Sequence, residues 1–198
     1  MLAYVFWHWR RAEIDGPAYE DRLVKFHEAL RRSAPEGFVA SCAFRSGEAP
    51  WVPEQVSYED WYVTHGSFAL DPLNDGAVSG ECQVPHDAAA RSAAGGTAGL
   101  YRLRLGSADL REASWSVWFA KPTGLPYDRL EALLESLVAG SGGGLWGRQM
   151  TLGPTPEFCL ITPAKPLLPA EFHGFDRPLV RLWPTLVKGL PQESMNLE

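Results

Sequence analysis

The stretch Asp21–Val63 is echoed later in the same chain. Asp21-Arg22-Leu23-Val24-Lys25-Phe26-His27-Glu28-Ala29-Leu30 aligns with Asp128-Arg129-Leu130-Glu131-Ala132-Leu133-Leu134-Glu135-Ser136-Leu137 at an offset of 107 residues, keeping Asp, Arg, Leu, Glu and Leu in register. Gly37-Phe38-Val39 matches Gly144-Leu145-Trp146 at the same offset. Glu59-Asp60-Trp61-Tyr62-Val63 then resembles Pro156-Glu157-Phe158-Cys159-Leu160 at an offset of 97, as a shorter second hairpin loop would produce. A long internal period is the mark of a duplicated supersecondary unit. The first unit is expected over residues 1–106, the second over 107–187, and a polar tail over 188–198.

The order of elements within each unit follows from periodicity and punctuation. Residues 3–10 are short, aromatic and strand-like. Pro17 is placed to open a helix, and Leu23, Phe26 and Leu30 give that helix (18–32) an apolar face. Residues 38–44 and 58–65 read as strands around a Pro- and Gly-containing loop. A short helix is expected after Ser67 and another from Pro85 to Ala94, stopped by Gly95-Gly96. The alternation over 100–105 marks a half-exposed strand. Strand–helix–strand–strand–helix–strand is the ferredoxin-like order. The second unit repeats it with strands over 115–120, 145–151, 157–162 and 178–183 and a helix over 127–139. It departs at residues 163–173, where three prolines argue against a full helix. The expected fold class is α+β, two tandem ferredoxin-like repeats whose antiparallel sheets form one barrel-like domain.

Composition narrows the function classes. A chain of 198 residues can bury a substantial core. With 18 Lys and Arg against 24 Asp and Glu, the net charge of −6 lacks the electrostatic footprint of a nucleic-acid binder. The apolar start Met1–Arg10 is too short to span a bilayer and lacks signal-peptide features, so the expectation is no membrane and a cytoplasmic protein. Three cysteines without a CxxC pair argue against a disulfide framework or a zinc site, and no metal is expected. Eight tryptophans stand beside nine phenylalanines and six tyrosines. They suit either a wide, filled core or an aromatic-lined pocket.

The tandem βαββαβ order with aromatic strands resembles the dimeric α+β barrel superfamily in its fused, two-copy form, over about Tyr4–Trp183. Members include cofactor-free monooxygenases of antibiotic biosynthesis, muconolactone isomerases, chlorite dismutases and dye-decolourising peroxidases. The resemblance implies a barrel of two facing sheets with helices outside, and leaves oxidation, haem and a homodimer open. The peroxidases' Gly-x-x-Asp-Gly haem motif is not met, because Pro72 stands where the first Gly of Pro72-Leu73-Asn74-Asp75-Gly76 belongs. A shared fold by itself does not assign chemistry.

Three histidines are the candidate catalytic groups. His86 follows a loop and precedes Asp87, which could orient the imidazole. His65 ends a strand near Trp61 and Tyr62, and has no counterpart in the second unit. His8 alternates with Trp7 and Trp9, so it points into the barrel if the tryptophans pack under the helices, and under the helices if they fill the barrel. His27 takes the place of Leu134 on an apolar helix face and reads as a core histidine, while His173 is uninformative. Asp21-Arg22 and Asp128-Arg129 read as duplicated helix-start charges. Glu59 and Asp60 are strand neighbours on opposite faces and cannot share a proton. Cys42 and Cys159 read as small buried hydrophobes. The function expected is a small-molecule enzyme or binder with an aromatic pocket between the two sheets, taking a hydrophobic or aromatic compound, with monooxygenase-like oxidation implied by resemblance. Two alternatives stand beside it: a non-catalytic assembly protein with a filled barrel, and a haem-binding protein.

Overall fold

The computed structural model describes residues 1–150 and 153–185; the expected tail over 188–198 lies outside them. Eight strands close into an antiparallel barrel: β1 (Leu2–Arg10), β2 (Phe38–Ser46), β3 (Ser57–Thr64), β4 (Ala93–Gly106), β5 (Trp115–Phe119), β6 (Gly144–Arg148), β7 (Phe158–Thr162) and β8 (Phe175–Trp183). Their order around the barrel is β1-β3-β2-β8-β5-β7-β6-β4. The run β4-β1-β3-β2 therefore has the same internal order as β8-β5-β7-β6, and the pairs β2–β8 and β4–β6 join the two runs. Helices α1 (Gly16–Arg32), α2 (Leu70–Ala77) and α3 (Gly80–Ser92) belong to the first half, and α4 (Tyr127–Ser141) to the second. In place of a second-half counterpart to α2 and α3 there is a 3-10 turn at Ala170–Phe172, as the prolines of that segment require.

Strand alternation sorts the side chains. Trp7, Trp61, Trp118 and Trp146 all point into the barrel and are fully buried, with Tyr101, Phe44 and Cys159 among them. Their rings pack edge-on, Trp7 to Trp118 at 5.2 Å and Trp61 to Trp146 at 5.4 Å between centroids. Among the described residues these side chains fill the space between the sheets, where the aromatic pocket was expected. Trp7 inside places His8 outside, under the helices.

The same alternation corrects the later part of the repeat alignment. Trp61 and Cys159 face inward, whereas Phe158 belongs to the core outside the barrel. An offset of 97 pairs Trp61 with Phe158 and so turns the strand over; side chains match only when it changes by one residue.

Further differences concern ends and glycines. α1 begins at Gly16, capped by Asp15, whose Oδ1 accepts from the Ala18 amide at 2.7 Å. Asp21 therefore sits beyond the first turn, and pairs with Lys25 at 2.7 Å. The expected helix start at Pro85 is in the middle of α3. Gly95 and Gly96 do not stop that helix but lie in β4, where aromatic rings cover the backbone. A Cβ on Gly96 would meet Phe6 Cζ at 2.3 Å, and one on Gly95 would meet Trp9 Cζ2 at 2.5 Å.

Candidate functional site

The outer face of the barrel is covered differently in the two halves. Over β5 and β7, α4 supplies Leu130, Leu134 and Val138, which fill the layer together with Phe119, Phe158 and Phe172. Over β1, β3 and β4, helix α3 faces the sheet with Ala89, Ala90 and the following Ala93, and β4 answers with Ala98 and Gly99. Small side chains on both sides of one layer leave a void that neighbours do not close. The result is a cavity of about 720 Å³ between the sheet, α1, α2 and α3. Tyr4, Phe6, Phe26 and Tyr62 give it aromatic walls, and Asp71, Asn74 and Val78 form its exposed rim. A volume of this size falls in the range of small-molecule sites, roughly 300–1,000 Å³.

The floor is polar and buried. Asp60, 2 % exposed, lines the cavity between two imidazoles. Its Oδ2 lies 3.1 Å from His8 Nε2, 3.3 Å from His27 Nε2, and accepts from the Tyr62 hydroxyl at 3.2 Å. Neither imidazole N–H is aligned on that oxygen as a hydrogen bond requires, so both are close charge contacts. Oδ1 of the same carboxylate is buried and has no partner. Burial opposes ionisation of Asp60, but the charges of His8 and His27 outweigh it and hold the carboxyl well below the usual range.

Each imidazole has a hydroxyl on its other nitrogen. His8 Nδ1 is 2.6 Å from the Tyr19 hydroxyl, and His27 Nδ1 is 2.8 Å from Ser41 Oγ. Burial first, then the charge of Asp60, pushes the Tyr19 phenol far up, so Tyr19 keeps its proton and can donate to His8 Nδ1 whenever that nitrogen carries none. His8 Nε2–H then faces Asp60. The connectivity Tyr19–His8–Asp60 is hydroxyl, imidazole and carboxylate in series, the arrangement by which a buried acid orients a base behind a hydroxyl. Tyr62, raised for the same two reasons, also stays protonated.

The three candidate histidines have different fates. His8 is at the floor, 1 % exposed. His86 also lines the cavity, from the wall formed by α3; its ring meets Phe26 edge-on at 5.5 Å and its Nδ1 is 3.3 Å from Asp87 Oδ1. His65 lies exposed past the end of β3, its amide donating to Gly37 O, and it does not line the cavity. His27, Asp60 and Tyr19 went unmarked as functional. Two signals pointed to them. His27 and Tyr19 share the buried face of α1, and a histidine there replaces the leucine of α4. Asp60 alternates with the inward Trp61, so it shares the outer face with His8.

Among the described residues no three His, Cys, Asp or Glu side chains are arranged to hold a metal ion. No lysine or arginine lines the cavity to meet the propionates of a haem, and His8 lies between Tyr19 and Asp60, which leaves His86 as the lining histidine placed to offer a nitrogen to such a group. No helix among the described residues is long and apolar enough to cross a membrane.

No family model matches the sequence, and no curated protein matches it. Solved structures do share the fold. An anthrone oxidase-like protein superposes with a TM-score of 0.50 at 11% identity, over 96% of each chain. A proposed monooxygenase from Lactobacillus acidophilus NCFM gives 0.55 at 10% identity, over 91% of this chain and 94% of its own. These are antiparallel α+β barrels, and the closed eight-stranded barrel described above is the same architecture.

Proposed function

We propose that the protein is a small-molecule enzyme that binds an apolar, ring-bearing compound between the barrel and α1–α3 and removes a proton from it through Tyr19, His8 and Asp60. One observation carries this: a buried carboxylate with a free oxygen, wired through an imidazole to a phenol, at the floor of a large apolar cavity. As the substrate's proton passes to Tyr19 Oη, the phenolic proton moves to His8 Nδ1. The electron pair stays on the substrate, and Asp60 stabilises the imidazolium. Tyr62 and His27 hold Oδ2, and His86 contacts the ligand from the α3 wall. The two halves of the barrel are interpreted as fused ferredoxin-like copies, of which the first carries the site.

Removing a proton from a ring carbon or phenol leaves an electron-rich anion, the form in which such compounds react with dioxygen. The names of the two neighbours, anthrone oxidase-like and monooxygenase, suit an oxidation that begins this way. A panel of carbon and phenolic acids, anthrone among them, tests the proposal. Anthrone plus dioxygen gives anthraquinone plus water, followed by absorbance, and exchange of the ring proton in deuterated water is followed by NMR. The expected result is catalysed exchange in the wild type and a loss of about 10²-fold or more in Tyr19→Phe. Wild-type exchange no faster than buffer across the panel, or a Tyr19→Phe variant as fast as the wild type, would refute it.

A further inference from the structure

We propose that the ligand meets Asp60 through a hydrogen-bond donor, a phenolic or enolic O–H or an amine N–H, on an otherwise apolar ring system, and carries no carboxylate or phosphate. This rests on the site proposed above and names its substrate class. The two oxygens of Asp60 are treated unequally. Oδ2 has His8, His27 and Tyr62 around it, whereas Oδ1 is buried without any partner. An ionised carboxylate can only accept hydrogen bonds, and a buried polar atom left unpaired in a native protein calls for a missing donor. The donors already at the floor are turned to other atoms: Tyr62 donates to Oδ2, Tyr19 sits on His8, and the Nε2 groups of His8 and His27 face Oδ2 and not Oδ1. The ligand is the remaining source.

Charge argues the same way. The lining includes two carboxylates, Asp60 and Asp71, and neither lysine nor arginine. An anionic group brought into this layer would be desolvated beside Asp60 with no guanidinium or ammonium to receive it. The rest of the lining sets the body of the ligand. Tyr4, Phe6 and Phe26 offer ring faces, and the alanines of α3 offer a flat, featureless wall. A site built around one free acceptor discriminates strongly against an analogue that lacks the donor, because that analogue leaves the acceptor unpaired.

The test uses the wild-type protein and four naphthalene probes that differ at one position: 2-naphthol, 2-(aminomethyl)naphthalene, 2-methoxynaphthalene and 2-naphthoate. Affinities are measured calorimetrically near neutral pH. Both donor probes should bind about tenfold or more tighter than the methyl ether, with the carboxylate weakest. The order of naphthol and ammonium shows which donor the site takes. An ether or carboxylate that binds as tightly as naphthol overturns the proposal, and so does failure of all four to bind at millimolar concentration. In Asp60→Asn, checked for its fold by circular dichroism, the side-chain amide supplies a donor and the bias against the carboxylate should be lost. Should that variant fail to fold, the wild-type comparison decides alone. Probe selectivity that persists while Tyr19→Phe leaves proton exchange untouched removes the acid–base mechanism and keeps this assignment; catalysed exchange without probe selectivity does the opposite.

Discussion

Asp60 is tied to the stability of the fold as well as to its proposed chemistry. Its carboxyl is held low in the folded state, so its contribution is complete above the unfolded carboxylate value of about 3.9 and is lost progressively as pH falls below it. Asp60→Asn should therefore cost about 3–5 kcal/mol at neutral pH, the range for breaking a buried charged cluster. Denaturant titrations from pH 7 downward should show the gap to wild type narrowing below about pH 4. A gap that stays constant would mean the carboxylate is not ionised in the fold. The cysteines give a second check. Burial pushes the Cys42 thiol up to about 12, and Cys82 and Cys159 are equally enclosed. A thiol reagent at mildly alkaline pH should modify none of them until the protein unfolds. At this scale the sequence was half informative. The alternation of Trp7 with His8, and of Asp60 with Trp61, fixed which residues share a face. That His8 and Asp60 are close needs the register Phe6↔Asp60 and His8↔Tyr58, which only the folded sheet supplies.

The element that makes the cavity is α3, through what its side chains lack. Its Ala-rich run reads in the sequence as high helix propensity. Its effect lies in the gap it leaves over β4, and that gap is invisible until the helix is docked. Ala89 is buried and lines the cavity. Ala89→Leu should fill part of the void, change stability by less than about 1.5 kcal/mol and abolish binding of the naphthalene probes; retained binding would place the ligand elsewhere. β4 makes the complementary point. Gly96 was read as a helix stop because a glycine pair after a helix usually is one. Its actual constraint is the Phe6 ring lying over the strand. Gly96→Ala should cost about 1–3 kcal/mol by overpacking and should displace Phe6 from the cavity wall. Urea denaturation combined with probe affinity measures both effects. The strands and helices themselves were legible from periodicity, and their ends were displaced where an aromatic ring or a cap elsewhere in the fold decided the boundary.

For the whole molecule, the question is what makes two similar halves one barrel. Glu59 of β3 and Arg177 of β8 meet inside it, at 2.5 Å, although they come from different halves. Glu59 also accepts from the indole nitrogens of Trp7 at 3.0 Å and Trp61 at 2.7 Å, while Arg177 donates to Ser57 Oγ at 2.8 Å and Gly47 O at 3.1 Å. Both side chains are almost wholly excluded from water, so their charges are affordable only together. The pair is therefore a matching condition between the halves: a barrel closed out of register would bury one charge without the other. Arg177→Met and Glu59→Gln should each cost about 3–5 kcal/mol, because each strands a buried partner. The double variant, which buries no net charge, should cost clearly less than the sum of the two, a coupling measurable in a double-mutant cycle by chemical denaturation. The tryptophans that line the closure come from both halves, so indole fluorescence and far-ultraviolet circular dichroism should report one coincident transition in the wild type. Additive single costs, or fluorescence changing in a separate step from secondary structure, would show that the halves hold their folds independently and that the pair does not govern closure.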